Sequence, residues 1–346
     1  MKSAVTLLLA WGFLSILSVQ VAIANESEEG AAADAIRILF LGNSYTNRHD
    51  IPDVVEQILE EGNPEIDVEV SRVIYGGQNM FKHSTYYFSQ TFIEQAEISE
   101  EVIQERIAKM QGYLESEDAP NADEWNAHWD SLGVSKPFLE IHKHIRRAIA
   151  NHEALLENNP KTRWDYVVLQ SWRDVSSDID QGYAKYASLL AGIAKENGPE
   201  VILYMTSPDT QNMEPVEAPV SPESAERDLK IGLALAKQLS PAAVVHVPLA
   251  IRNIQTSGTD LVFRYVNDGH PNQTCAFLTT NLFYAAFTGK SPEGLAFDTI
   301  IENKVSDGTD PDGGPLKVVF EGETKDYLQR MAFEASQEFN RLAAGE

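Results

Sequence analysis

The sequence predicts a doubly wound α/β fold, in which helices cover both faces of a parallel sheet. Short β-rich segments alternate with amphipathic helical segments along most of the chain, at the spacing of consecutive strand–helix–strand units. Residues 36–41 are almost continuously apolar, which is typical of a strand in the middle of such a sheet. With 346 residues, of which 43% are hydrophobic and 23% charged, the chain can bury a large core. We therefore expect about five parallel strands within three layers.

Each element has its own local signal. The first strand ends at Gly42, and the helix predicted at 52–61 carries a proline near its start, where a missing N–H costs nothing. Residues 66–75 alternate apolar and charged side chains, which indicates a half-buried strand nearer to a sheet edge. The same signals predict strands at 164–169, 201–205 and 243–247, and helices at 138–158, 182–197, 221–239 and 274–287.

Two long segments fall outside this alternation. Residues 84–140 are polar and helix-prone and are too long for an ordinary connection, so we predict a helical insertion over the carboxyl edge of the sheet. Residues 290–346 are predicted to be a C-terminal extension, irregular to about 325 and closed by a helix at 325–342. Residues 35–346 as a whole are predicted to be one domain.

The N-terminus has the pattern of a secretory signal peptide. A lysine at position 2, an apolar run over 4–19 and the small residues Ala22 and Ala24 predict cleavage after Ala24. The alternative is an uncleaved anchor helix, since the run is close to the shortest length that spans a bilayer. Residues 25–34 are predicted to be a flexible leader. We expect a secreted or periplasmic protein without stable membrane insertion after cleavage.

Composition narrows the possible partners. The chain carries 52 acidic and 27 basic side chains, for a formal net charge of −25, which argues against nucleic acid or an anionic membrane as a main partner. Cys275 is the only cysteine, so no intrachain disulfide can form. The zinc-binding His-Glu-x-x-His and Cys-x-x-Cys patterns and the glycine-rich phosphate loops do not occur, and we predict neither a metal nor a cofactor. The oligomeric state stays open.

The residues that follow the predicted strands are the informative ones, because an open parallel sheet binds ligands beyond the carboxyl ends of its strands. They are Gly42-Asn43-Ser44-Tyr45-Thr46 after the first strand, Gly76-Gly77 after the second, Gln170-Ser171-Trp172 after the third, and Asp268-Gly269-His270 after the fifth. A hydroxyl, a glycine turn, a side-chain amide and an Asp/His pair are the groups that acyl transfer requires.

These segments resemble the sequence blocks of the SGNH (GDSL-like) hydrolase superfamily. Residues 39–46 resemble the first block, 73–77 the second and 268–272 the fifth, with Asp268 and His270 separated by one residue where the family has two. The third block differs most, since Leu169-Gln170 stands where the family has Gly-x-Asn-Asp. A bacterial subgroup with Gly-Asn-Ser-[Phe/Tyr]-Thr, Leu-Gln, and a histidine six residues after a glycine, as in Gly77 and His83, matches better. The resemblance covers about residues 35–289 and implies a flavodoxin-like sheet with esterase or lipase activity.

The resemblance implies a role for each of these residues. Ser44 would be the nucleophile, His270 the general base and Asp268 the residue that orients His270. The alternatives are a helix-capping serine, a packed histidine and a turn aspartate. The oxyanion would be bound by the backbone N–H groups of Ser44 and Gly77 and by the side-chain amide of Gln170. Gly76 is the alternative to Gly77 as donor.

The substrate is less narrowly predicted. Asn43, Tyr45, His83 and Trp172 are candidate substrate-binding residues, with Asn43 also a candidate brace of the turn and His83 equally a structural residue. Aromatic side chains at 45, 75, 172 and 265 could stack on sugar rings, although such residues are more often core. We expect a secreted serine esterase acting on a small acyl ester, such as an acetylated carbohydrate. The alternatives are a lysophospholipase or thioesterase with an apolar acyl tunnel, and a carbohydrate-binding protein without catalysis.

Overall fold

A parallel sheet of five strands forms the centre of the protein. The computed structural model describes residues 35–115, 142–158, 160–304 and 308–346. The strands are β1 (Ile36–Gly42), β2 (Val68–Ile74), β3 (Tyr166–Gln170), β4 (Glu200–Met205) and β5 (Ala243–His246). Their spatial order is β2-β1-β3-β4-β5, which is the flavodoxin-like order. The predicted fold class is therefore confirmed, and β2 is an edge strand as its alternating pattern indicates.

Helices cover both faces of this sheet. The side chains of β1 from Ile38 to Leu41 are at most 1% exposed, although successive residues of a strand point to opposite faces. Among the described residues, the helices are α1 (Ser44–Asn47), α2 (Ile51–Gly62), α3 (Met80–Thr85), α4 (Gln90–Ile93), α5 (Glu100–Glu115), α6 (His142–Asn158), α7 (Gly182–Asn197), α8 (Pro222–Leu239), α9 (Val247–Thr256), α10 (Gln273–Thr288) and α11 (Gly322–Ala344). α2, α10 and α11 pack in series, and α7 packs against α3 and α8.

The C-terminal extension is more ordered than the sequence predicts. Two short strands, β6 (Thr299–Ile301) and β7 (Lys317–Val319), form an antiparallel pair within the segment predicted to be irregular. The closing helix begins at Gly322, three residues earlier than predicted. Helix α9 was not predicted at all. It begins at Val247, directly after β5, whereas the sequence pattern assigns Val247 to the fifth strand.

Several predicted segments lie wholly or partly outside the described residues. The signal peptide and leader at 1–34, the second part of the insertion, 116–140, and the first residues of the helix predicted at 138–158 are among them. The described part of the insertion contains α4 and α5, and α5 packs against α6. The described residues from Ala35 to Glu346 belong to one compact unit. Within the described ranges, no helix combines the length and apolar character that a membrane crossing requires.

Candidate active site

The carboxyl ends of three neighbouring strands meet at the edge where the candidate site lies. β1 is paired with β2 and β3 in parallel register, so Gly42 lies beside Ile74, and Leu41 lies beside Leu169. The turn after β1 is therefore held against the end of β3. The Asn43 N–H donates to Gln170 Oε1 at 2.8 Å across this junction.

Ser44 is the first residue of helix α1 and is half-buried. Asn43 caps this helix, because its Oδ1 accepts from the Tyr45 N–H at 2.9 Å. The Asn43 amide nitrogen donates to the Gln78 carbonyl at 2.9 Å, which ties the turn to the segment that follows β2. Asn43 is 1% exposed and engaged on both ends of its amide. It braces the turn, as the sequence analysis also predicts, and a role in binding substrate stays a prediction.

Gly42 allows the backbone of β1 to approach the end of β3 closely. A Cβ atom at position 42 would lie 2.4 Å from Thr46 Oγ1 and 2.5 Å from Gln170 Oε1, far inside van der Waals contact. Thr46 Oγ1 itself donates to Gln170 Oε1 at 2.7 Å. The serine turn is thus packed around a buried amide, with glycine at the point of closest approach.

Gln170 does not have the role that the resemblance implies. Its Nε2 donates to Asn43 Oδ1 at 3.1 Å and to the Ser171 carbonyl at 2.8 Å, so both of its N–H groups are in use. Its Oε1 accepts from the Asn43 N–H and from Thr46, and the residue is 1% exposed. The structure contradicts the predicted oxyanion donor at this position, because no N–H remains to bind an oxyanion. Gln170 instead holds the turn that carries Ser44.

Two backbone N–H groups are available at this edge. Those of Ser44 and Gly77 donate to no residue in the described part of the chain. Gly77 is half-buried with φ of +67°, a conformation that glycine adopts without strain, and Gly76 is exposed. Both N–H groups therefore stay candidates for binding an oxyanion.

His270 and Asp268 form a hydrogen-bonded pair. The His270 Nδ1 donates to Asp268 Oδ1, which leaves the lone pair on Nε2, and Nε2 has no partner among the described residues. Burial lowers the pKa of His270, and the nearby carboxylate opposes this shift while Arg48 and Lys304 add to it. Burial alone would raise the pKa of Asp268, but hydrogen bonds from His270 and Arg48 hold it well below its usual range. The pair is thus a neutral imidazole beside an ionised carboxylate at neutral pH.

The second oxygen of Asp268 contacts two cations. Arg48 donates to Asp268 Oδ2 at 2.9 Å, and Lys304 donates to the same oxygen at 3.1 Å. Arg48 also donates to Glu302 Oε2 from Nε at 3.1 Å and from a terminal nitrogen at 2.5 Å. The sequence analysis did not single out Arg48, Glu302 or Lys304. The only signal for Arg48 is its position four residues after Ser44, and nothing in the sequence marks Glu302 or Lys304.

Tyr45 joins the serine turn to the histidine loop. Its hydroxyl donates to the Gly269 carbonyl at 2.5 Å, and its ring centroid lies 5.5 Å from that of His270. The residue after Ser44 therefore contacts the residue before His270. In this structure Ser44 Oγ makes no hydrogen bond to a described residue, so its bond to His270 stays a prediction. Tyr45 is 3% exposed, and the structure contradicts its predicted contact with substrate.

His83 lies behind the turn and away from the surface. It is fully buried, its Nε2 donates to the Gly42 carbonyl at 2.9 Å, and its Nδ1 lies 2.8 Å from Ser89 Oγ. Burial lowers its pKa to about 3, so the ring is neutral. Of the two roles that the sequence analysis leaves open for His83, the structure favours the structural one, since the ring anchors the end of β1.

Replacing His83 by leucine tests this assignment. We expect the free energy of unfolding to fall by about 1–3 kcal/mol, because the buried Gly42 carbonyl loses a donor. The KM for an ester substrate should change less than twofold, since the ring does not reach the surface. Chemical denaturation and steady-state kinetics on the same preparation measure both. A KM raised more than tenfold with unchanged stability would instead place His83 against substrate.

Only part of the predicted aromatic platform faces solvent. Tyr75 and Tyr265 are at most 2% exposed and belong to the interior, as Tyr45 does. Trp172 is half-buried after β3, and the Arg173 guanidinium carbon lies 5.7 Å from its ring centroid. Of the four aromatic residues considered, Trp172 is the one that a ligand could contact.

The chain is similar in fold to two solved structures at low sequence identity. No protein-family model and no curated protein matches the chain. Among solved structures, the fold is similar to that of a Slackia heliotrinireducens protein described provisionally as an SGNH hydrolase, with 17% sequence identity, a TM-score of 0.37, and coverage of 71% of this chain and 96% of that one. It is also similar to a DUF4886 family protein from Bacteroides uniformis, with 13% identity, a TM-score of 0.44, and coverage of 87% and 95%.

Proposed function

We propose that this protein is a serine hydrolase that cleaves carboxylic esters through an acyl-enzyme on Ser44. The observation that carries the proposal is the approach of two segments at one sheet edge. The Tyr45 hydroxyl donates to the Gly269 carbonyl, so the residue after Ser44 contacts the residue before His270, and His270 is itself paired with a carboxylate. Nucleophile, base and orienting acid are the parts of a catalytic triad.

The proposed reaction has two halves, acylation and deacylation of Ser44, and each catalytic group acts once in each of them. Ser44 Oγ attacks the ester carbonyl as His270 Nε2 takes its proton, and Asp268 stabilises the resulting imidazolium through Nδ1–H. The tetrahedral oxyanion accepts from the N–H groups of Ser44 and Gly77. Its collapse expels the alcohol, which receives the proton from His270. A water molecule then repeats the sequence on the acyl-enzyme and releases the acid.

The oxyanion site proposed here has two donors. A single donor of this kind is worth roughly 3 kcal/mol in the transition state. With Gln170 occupied inside the turn, this protein would do without a third, side-chain donor. The missing third donor is the specific observation that favours the second candidate function, a carbohydrate-binding protein with this fold that does not catalyse a reaction.

For the substrate we propose a small acyl ester of a carbohydrate, met outside the cytoplasm after export. The exposed part of Trp172 can stack on a sugar ring. A lysophospholipase or thioesterase would need an apolar tunnel. The cavity beside Tyr45 and Cys275 holds about 10 Å³, which is too small for an acyl chain. A 420 Å³ cavity between the edge strand and α6 has a mixed polar and apolar lining, which includes Arg72, Arg147, Phe92 and Leu155 but neither Ser44 nor His270.

Labelling with a serine-reactive fluorophosphonate tests the proposal. We expect the wild-type protein to be labelled once, at Ser44, as mass spectrometry of a digest would locate. Ser44→Ala should abolish the label, because the reagent requires an activated hydroxyl. Ser177→Ala removes an exposed serine after β3 and should be labelled as fully as the wild type.

Two results would overturn the assignment. Labelling that persists undiminished in Ser44→Ala would place the nucleophile elsewhere. A wild-type protein that stays unlabelled yet retains acetylated xylan or chitin on affinity electrophoresis would favour the non-catalytic binding protein.

A further inference from the structure

A buried ion cluster connects the proposed triad to the C-terminal extension. Arg48 lies between Asp268 and Glu302, and the side chains of Arg48 and Glu302 are 4% and 0% exposed. We propose that Arg48 and Glu302 form a clamp that orients Asp268 toward His270. The extension that carries Glu302 would then be a working part of the active site. This inference rests on the proposed function.

The clamp supplies a constraint that the local sequence lacks. A single residue separates Asp268 from His270, and both lie in a loop. Asp268 Oδ1 accepts from the histidine, so only Oδ2 can fix the rotation of the carboxylate. Arg48 donates to Oδ2 at 2.9 Å. It directly follows helix α1, which begins with the proposed nucleophile. One guanidinium thereby sets the carboxylate relative to Ser44 as well as to His270.

Glu302 fixes Arg48 in turn. Its Oε2 accepts two N–H groups of Arg48, a geometry that a guanidinium provides and an ammonium does not. Its Oε1 accepts from the Lys304 backbone N–H at 2.7 Å, so the carboxylate is itself held. Removing either partner of such a buried pair leaves an unpaired charge, which is strongly unfavourable. Lys304 contributes less to Asp268, since its side chain is 65% exposed.

The backbone next to Arg48 is also held on both sides. His49 and Asp50 have φ of 56° and 50°, a strained region for residues other than glycine. His49 Nε2 lies 2.9 Å from the Pro271 carbonyl, and its Nδ1 lies 3.3 Å from the Ile301 carbonyl. The segment after α1 is thus attached to the histidine loop and to β6. These contacts keep Arg48 in position against both carboxylates.

The proposal has an electrostatic consequence for His270. The charged and titratable groups around its ring are Asp268, Arg48, Lys304, Glu302 behind Arg48, and the hydroxyl-bearing ring of Tyr45. Positive charge at position 48 disfavours a protonated imidazole. Its removal should therefore raise the pKa of His270 and move the acid limb of kcat/KM to higher pH.

The test compares Arg48→Met, Arg48→Lys and Glu302→Gln with the wild type. We expect Arg48→Met to lower kcat about 100-fold, as for a misplaced catalytic group, and to raise the pKa of His270 by roughly 0.5–1 unit. NMR titration of the ring measures that pKa independently of catalysis. Arg48→Lys should also lower kcat but leave the titration within about 0.3 units, because the charge remains. Glu302→Gln should lower kcat with KM nearly unchanged.

Arg252→Met serves as the matched control, because it breaks the Arg252–Glu338 ion pair between α9 and α11. It should leave kcat and the His270 titration at wild-type values. The clamp would be overturned if Arg48→Met had a kcat within threefold of the wild-type value and an unchanged pKa of His270. The clamp would also be overturned if Arg48→Met and Arg48→Lys lost kcat to the same extent, and if that loss only matched the fall in the folded fraction measured by circular dichroism. A wild-type protein without esterase activity or labelling would refute the proposed function, while a shifted titration in Arg48→Met would still support the clamp.

Discussion

Replacing His270 by asparagine should lower kcat for ester hydrolysis by about six orders of magnitude, the cost of removing a base that acts as a unit with its nucleophile. The side-chain amide of asparagine is not basic near neutral pH, so it cannot take the Ser44 proton. The variant should also lose fluorophosphonate labelling, because Ser44 is then an ordinary alcohol. Burst kinetics with a nitrophenyl acetate probe measures the loss.

Two companion variants make this result specific. Asp268→Asn should lower kcat less, by about four orders of magnitude, because the base remains but its orientation and charge partner are lost. His142→Asn changes a partly exposed histidine at the start of α6, and its kcat should equal that of the wild type. If His270→Asn kept more than a tenth of the activity, the general base would have to be another residue.

Gly42→Ala should disrupt the site from inside the fold. The new Cβ would lie 2.4 Å from Thr46 Oγ1 and 2.5 Å from Gln170 Oε1, and both atoms are buried and hydrogen-bonded to each other. We expect the free energy of unfolding to fall by about 1–3 kcal/mol and kcat to fall at least about 100-fold, because the serine turn must move. Urea denaturation and steady-state kinetics are the two measurements.

Gly192→Ala is the matched control for this substitution. A Cβ at position 192, inside α7, meets nothing within 4 Å, so the change should be neutral or stabilise the helix by up to about 1 kcal/mol. Activity should not change. A Gly42→Ala protein with wild-type kcat would mean that the serine turn tolerates displacement, which the proposed mechanism does not allow.

The fold could be predicted from the sequence because each core strand carries a local signal. β1 is apolar and buried from Ile38 to Leu41, where helices cover both faces, and β2 alternates because one of its faces is partly exposed at Glu69 and Ser71. Helix α7 was predicted at its observed bounds, 182–197, since Gly198 ends it cleanly. Helix α9 was missed because it follows β5 without an intervening loop, so its first residue, Val247, was assigned to the strand.

The candidate site could be predicted only in part. Sequence blocks and the rule that ligands bind at strand ends name Ser44, Asp268 and His270 as candidates, and the structure adds the hydrogen bond between His270 and Asp268. The sequence could not decide whether Gln170 and His83 are buried or face substrate, because a buried amide or imidazole is indistinguishable in sequence from one that faces substrate. Packing decided both, and it turned each side chain toward the serine turn.

The amino-acid sequence by itself determines the order of strands and helices, the single sulfhydryl and the acidic surface, since these depend on local pattern and composition. Which polar side chains meet is decided only in three dimensions. Arg48, Asp268 and Glu302 are more than 30 positions apart pairwise along the chain, and each has an ordinary local context. Their ion pairs exist because the parallel sheet and the C-terminal strands bring three distant segments to one buried point, where an unpaired charge would be too costly to retain.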